Sequence, residues 1–286
     1  MKMLKNETIR WPAPAKLNLF LYINGQRKDG YHELQTLFQF IDLCDYLTIT
    51  PNLSGEITVT PVMDDLPVTE NLIYKAAMML QAYSGQTWGA TINIEKNLPM
   101  GGGLGGGSSD AATTLLALNY HWDLNLSKTE LSKIGLTLGA DIPIFIAGEA
   151  SLAEGVGEQL TMLSPPEAHY LVAVPECHIS TPTVFQDKML KRDTKKREIS
   201  QLMSQKWLND CEPCVKNNYP KVANVIDWLI EYAPTRLTGT GACVFSTFAT
   251  AQEAQVVLDK SPQWLTAFAC KGLNTSPVNA LLSTLN

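Results

Sequence analysis

The sequence predicts a mixed α and β protein of two domains sharing one cleft. Three observations carry that expectation. The chain has 286 residues, more than the roughly 100–200 over which one hydrophobic core usually grows. Its first half alternates β-patterned runs with helical ones. A Ser164-Pro165-Pro166 break then precedes a second series of strand and helix patterns. The hydrophobic fraction, 45%, suffices for well-packed cores.

The alternation from Ala15 to Tyr22 places Lys16, Asn18, Phe20 and Tyr22 on one face of a strand and Ala15, Leu17, Leu19 and Leu21 on the other. Asp29-Gly30 marks a turn, and Leu34 to Thr50 and Glu56 to Thr60 add β pattern. Glu70 to Ser84 has apolar residues at helical spacing (Ile73, Ala76, Met79, Leu80, Tyr83), with Gly85 as a stop. A strand over Thr91 to Glu95, a glycine loop, a helix over Ser109 to Tyr120 and another over Lys128 to Leu138 follow. A boundary near residue 161 divides the chain into domains 1–160 and 161–286. The second should hold strands at Tyr170 to Val174, Ala242 to Thr247 and Leu265 to Cys270, and helices at Lys221 to Tyr232 and Ala251 to Asp259. The basic stretch Lys191 to Arg197 reads as a solvated loop.

Charged residues make up 17% of the chain and the formal net charge is −6, so no broad positive field exists to attract nucleic acid or an anionic membrane. Met1 to Arg10 contain no apolar segment of a signal peptide, and no run reaches the ~20 apolar residues that span a bilayer. The expectation is a cytoplasmic protein. The six cysteines are scattered, which argues against a disulfide framework. Cys211-Glu212-Pro213-Cys214 has redox or zinc spacing, but no second ligand pair lies nearby, and two thiols near a helix start is the preferred reading.

The strongest local signal is Pro99-Met100-Gly101-Gly102-Gly103-Leu104-Gly105-Gly106-Gly107-Ser108-Ser109, with six glycines in seven positions. Such a loop takes positive φ freely and turns successive N–H groups inward, and the helix that follows adds its partial positive charge. A polyphosphate suits it. Ser108-Ser109 stands where a Walker A loop needs Lys-Ser/Thr. A dinucleotide fingerprint would need an acidic strand end about 20 residues after the loop, where a helix begins instead. The protein-kinase landmarks His-Arg-Asp and Asp-Phe-Gly are absent.

Phosphoryl transfer needs an in-line hydroxyl, relief of negative charge and often a carboxylate for the hydroxyl proton. Asp141, in Leu138-Gly139-Ala140-Asp141-Ile142-Pro143, is the candidate carboxylate, set at a helix end stopped by Pro143; a capping role is the alternative. Lys16, on the same strand face as Asn18, is the candidate cation; a solvated strand lysine is the alternative. Leu237-Thr238-Gly239-Thr240-Gly241-Ala242 is a further glycine turn, suited to close approach or merely to a tight bend.

Together Pro14-Ala15-Lys16-Leu17-Asn18, Pro99 to Ser109, Gly139-Ala140-Asp141-Ile142-Pro143 and Thr238-Gly239-Thr240-Gly241-Ala242 resemble the motifs of the GHMP kinases, from about Trp11 to the C-terminus. Asp29-Gly30-Tyr31-His32 and Leu237 to Phe245 resemble the branch acting on a cytidine diphosphate methylerythritol substrate. The resemblance implies an α+β fold, with an N-terminal domain of ribosomal-S5-like topology and a ferredoxin-like C-terminal domain. It implies that ATP phosphates sit on Pro99 to Ser109, that Asp141 is the base and Lys16 its partner, and that Asn18, Tyr31, His32 and Phe185 contact the substrate. Mg2+ is expected because the loop has no cation to offset a triphosphate, with Ser108 and Ser109 both open as hydroxyl ligands. Two alternatives stay open: a sibling kinase for an alcohol such as homoserine or mevalonate, and a non-enzymatic nucleotide- or RNA-binding module. Sequence leaves the oligomeric state open.

Overall fold

The computed structural model describes residues 4–62 and 66–285; Met1 to Met3, part of the segment expected to lack an apolar leader, lie outside them. In chain order the first half contains strands β1 (Arg10–Gln26), β2 (His32–Asn52) and β3 (Ile57–Thr60), helix α1 (Leu72–Ser84), β4 (Gly89–Glu95), and helices α2 (Gly106–His121), α3 (Lys128–Leu138) and α4 (Ile142–Ala147). The hairpin β5 (Ser151–Gly155) and β6 (Gln159–Met162) follows. The second half contains β7 (His169–Val174), helices α5 (Thr181–Gln186), α6 (Ile199–Ser204), α7 (Glu212–Asn218) and α8 (Pro220–Leu229), strands β8 (Thr235–Leu237) and β9 (Val244–Phe248), α9 (Ala251–Leu258), β10 (Thr266–Leu273) and α10 (Pro277–Leu285).

The strands pair antiparallel except β3 with β4. The main path runs β3-β4-β2-β10-β7-β9-β8, so β10 joins the two halves, pairing with β7 along its length and with β2 at Gly272↔Ile41 and Leu273↔Phe40. Gln39, fully buried on β2, reinforces the junction: it accepts from Tyr170 Oη at 2.7 Å and donates to Asn274 Oδ1 at 2.9 Å.

One core packs α1, α2, α3 and α4 on the first sheet and includes Trp11, Phe40, Leu115 and Trp122; Val278 of α10 returns to it from the far end of the chain. Another lies in the second half around Leu171, Val222, Ile226, Leu229 and Val244, and takes Leu21 and Ile23 from β1. A third, with Leu17, Phe20, Tyr22 and Phe245, lies between them. Strand β1 touches all three, so Ala13 to Ile23 are buried without interruption. Its expected two faces therefore differ in polarity, not in exposure.

Three local expectations are corrected. Helix α2 starts at Gly106, three residues before Ser109, because Gly105 at φ 76° caps it and Ser109 N already bonds the Gly105 carbonyl at 2.8 Å. Pro143 opens α4 instead of stopping a helix, since proline is tolerated in a first turn that lacks N–H partners. The stretch Lys191 to Arg197 is irregular as expected but not uniformly solvated: Thr194 is buried and Arg192 points inward. The six cysteines are free, and Cys211 and Cys214 are buried at the start of α7. Among the described residues no group of His, Cys, Asp and Glu is arranged to hold a metal, and no helix is long and apolar enough to cross a membrane.

His121, fully buried at the end of α2, accepts from Trp11 Nε1 at 3.1 Å on Nε2, so the proton of the neutral ring sits on Nδ1, 2.7 Å from the Lys5 carbonyl. Burial holds its pKa below the usual imidazole value. A histidine that resists protonation when folded withdraws stability as pH falls below its unfolded value of about 6.5. The urea midpoint of the parent should therefore drop between pH 7.5 and 5.5 by more than that of His121→Gln, and equal drops would refute the assignment.

Candidate active site

Lys16 is 3% exposed, and a buried ammonium must be paired. Its Nζ donates to Asn18 Oδ1 at 2.6 Å and to the Gly103 carbonyl at 3.0 Å, and lies 3.4 Å from Asp141 Oδ2. Asn18 is held in turn: its Nδ2 donates to Thr36 Oγ1 at 2.8 Å and its backbone N to Thr238 Oγ1 at 3.0 Å. The i, i+2 spacing on β1 puts Lys16 and Asn18 side by side. Asp141, at the N-cap position of α4, keeps 39% of its side chain exposed.

The glycine loop enters left-handed backbone at Gly101, Gly103 and Gly105, with φ of 70°, 78° and 76°. Space also demands glycine. A Cβ on Gly103 would lie 2.5 Å from the Thr238 carbonyl, and one on Gly105 2.8 Å from Phe145 Cζ and 3.2 Å from Lys16 Cε. Cys243 N donates to the Gly102 carbonyl and Lys16 N to that of Leu104. The loop is thus clamped between β1 and the second glycine turn. It lines a cleft of about 650 Å³ with Asp141, Ser108, Thr181 and Pro182. Ser108 reaches this cleft; Ser109 is fully buried, and its Oγ has no hydrogen-bond partner among the described residues.

A second pocket, of about 760 Å³, is lined by Tyr31, His32, Ala140, Phe185 and Arg192, and shares Thr181 and Pro182 with the first. His32 and Phe185 stack at 4.9 Å and 21°. Tyr31, 64% exposed, stands at the rim. Burial, then the charge of Arg192, hold the His32 pKa below its usual value. Of the site residues named from sequence, Pro99 to Ser108 and Asp141 border the first space and Tyr31, His32 and Phe185 the second, while Lys16, Asn18 and Ser109 line neither.

Sequence reasoning missed one cluster. Lys96, at the end of β4, donates to Asp45 Oδ2 at 2.5 Å and Asp110 Oδ2 at 2.7 Å, while Asp45 Oδ1 accepts from the backbone N of Asn97 and Leu98. It ties the strand before the loop to the helix after it. Burial, despite the Lys96 charge, pushes Asp110 up to about 7. The available signal was two acidic residues 65 positions apart, Asp45 in a β-patterned run and Asp110 just after the glycine loop, too weak to pair across the fold. Lys96→Met leaves two buried carboxylates without their cation and should cost about 3 kcal/mol, the low end for a broken buried pair because Lys96 is partly exposed. Adding Asp110→Asn should recover part of that loss in urea denaturation; no recovery would count against a like-charge penalty.

Residues 71–149 match the family model described as the GHMP kinases N terminal domain, and residues 190–265 that described as GHMP kinases C terminal. A protein of Psychromonas ingrahamii named 4-diphosphocytidyl-2-C-methyl-D-erythritol kinase is 68% identical over 283 residues, covering 99% of this chain and all of that relative. One of the same name from Tolumonas auensis is 55% identical, over 96% and 97% of the two chains. A crystal structure titled 4-(cytidine 5'-diphospho)-2C-methyl-D-erythritol kinase superposes with a TM-score of 0.80 at 30% identity, covering 92% of this chain and 99% of that one. With both family models matched and this identity over nearly its whole length, the chain belongs to the GHMP kinases, in the branch of the 4-diphosphocytidyl-2-C-methyl-D-erythritol kinases.

Proposed function

We infer that the protein transfers the γ-phosphate of ATP to a hydroxyl of 4-diphosphocytidyl-2-C-methyl-D-erythritol, giving the 2-phosphate and ADP, a step of non-mevalonate isoprenoid precursor synthesis. The carrying observation is the Lys16–Asp141 pair, 3.4 Å apart, with Asp141 on the glycine-loop cleft and its neighbour Ala140 on the His32 and Phe185 pocket. A donor nucleotide in one space and an acceptor in the other would meet at the carboxylate. We assign residues 1–160 to the ATP-binding domain and 161–286 to the second domain. Both substrates are charged nucleotides that do not cross a bilayer unaided, which suits a cytoplasmic enzyme.

In this reading the loop N–H groups and the start of α2 hold the phosphates. Asp141 accepts the hydroxyl's hydrogen bond and aims its oxygen at the γ-phosphorus; the new O–P bond forms as the bond to the β–γ bridging oxygen breaks, and the proton passes toward the carboxylate. Lys16 fixes that carboxylate. Phosphoryl transfer is loose in most analyses, so position and field contribute more than early proton removal. Mg2+ would be held chiefly by phosphate oxygens and water, and Ser108, which lines the cleft, would be the residue to supply a hydroxyl. When bound, Mg2+ offsets the phosphate charge. His32 and Phe185, with Tyr31 at the rim, take the cytosine by stacking and by hydrogen bonds to its pairing edge.

ATP consumption measured with this substrate beside homoserine and mevalonate tests the assignment; preference for either of those alcohols would move the protein to a sibling activity, and binding without turnover would make it a non-enzymatic module. Asp141→Asn should lower kcat by about 10²–10⁴ with ATP affinity nearly unchanged. Lys16→Ala should also lose kcat, and the double variant should lose far less than the product of the two. Near-parental kcat in Asp141→Asn would return Asp141 to the role of a turn residue. Loss of a stacking face costs about 1–3 kcal/mol, so Phe185→Ala should raise the substrate KM about tenfold or more and leave that of ATP alone.

A further inference from the structure

One side chain of the basic connection between α5 and α6 is committed inward. Arg192 Nη1 donates to the Leu190 carbonyl at 3.0 Å, Nη2 to the carbonyls of Phe185 at 2.8 Å and Asp187 at 2.7 Å, and Nε to His32 Nε2 at 3.2 Å. A guanidinium has donors only and keeps its proton in proteins. His32 Nε2 must then carry the lone pair, and the single proton of the neutral ring sits on Nδ1. Protonating the ring would turn an N–H of one cation onto another. No described residue partners Nδ1, and the ring lines the pocket beside Phe185.

We propose that Arg192 is a specificity-setting positioning residue: by fixing His32 as its Nδ1–H tautomer, it makes the pocket a donor where cytosine offers the N3 lone pair and uracil offers an N–H. The proposal rests on reading this pocket as the nucleoside site. The opposite tautomer would present an acceptor and would match uracil. Because the guanidinium also holds the Phe185 carbonyl, it sets the stacking ring and the hydrogen-bonding ring in register with one charge. A site built around one hydrogen bond discriminates strongly against an analogue that leaves its buried group unpaired, and opposed N–H groups add repulsion.

The test uses the full chain, the cytidine substrate and its uridine counterpart, with kcat and KM for parent, Arg192→Met and Arg192→Lys, together with ¹⁵N NMR of the histidine rings. In the parent, His32 should carry its proton on Nδ1. Arg192→Met should lower the cytidine-to-uridine ratio of kcat/KM at least tenfold, chiefly through KM, and Arg192→Lys, which keeps a cationic donor, should restore part of it. A parent spectrum with the proton on Nε2 overturns the proposal. So does an Arg192→Met enzyme that loses activity on both substrates equally, the outcome of a merely structural role. A parent that turns over neither nucleotide refutes the functional reading itself, and the specificity assignment falls with it.

Discussion

The arrangement depends on one buried ammonium. Lys16 lies in the middle of a strand covered on both sides, where a charge without partners would cost several kcal/mol. It is answered by Asn18 on its own strand, the Gly103 carbonyl of the loop and the Asp141 carboxylate at the start of α4. Each partner imposes a condition. Asn18 requires regular β geometry at that point, Gly103 requires the loop to fold back over the strand, and Asp141 requires α3 to end at Leu138 so that a short link leads into α4. Satisfying one cation thus fixes three segments far apart in sequence.

A second condition is steric and joins the two domains. Gly102 and Gly103 lie against Cys243, Thr238 and Gly241, at separations where a Cβ would strike a sulfur or a carbonyl oxygen. The contact is bonded as well as close, through Cys243 N to the Gly102 carbonyl and Asn18 N to Thr238 Oγ1. Glycine costs about 0.5–1 kcal/mol in lost chain freedom at ordered positions. In return the loop backbone is fixed before any ligand arrives, and on the proposed reading donors that need no reorganisation stabilise developing charge most effectively.

Much of this was legible in the chain because the signals were local. The glycine run, the alternation around Lys16 and Asn18, and helix α3 with its Ser127 and Glu130 capping box each announce themselves within a few residues. What escaped reading was non-local or too short. The Lys96, Asp45 and Asp110 cluster joins residues on three segments, and nothing about Asp45 in β2 marks it as fully buried. Helices α4 to α7 are six or seven residues long, too brief for a periodic signal. Arg192 sat in a basic run whose average character is solvated, and its bonds to Phe185, Asp187, Leu190 and His32 separate it from its neighbours. Return of α10 to the first core likewise depends on where a long path ends, which Val278 and its neighbours do not encode locally.

The catalytic pair proposed here is unequal, and the inequality assigns its roles. An ammonium has three donors, and those of Lys16 face Asn18, Gly103 and Asp141, within a side chain that is 3% exposed. Two are in hydrogen bonds and the ion pair with Asp141 holds the ammonium on that side. Asp141 is the converse, with 39% of its side chain open to the cleft. In the proposed mechanism the hydroxyl therefore meets the carboxylate and not the lysine. There Lys16 acts through Asp141 and through its field, which the low-dielectric surroundings screen less than water would. A cation sealed away from solvent also holds one position while substrates exchange, so the carboxylate it grips is already oriented when the acceptor enters.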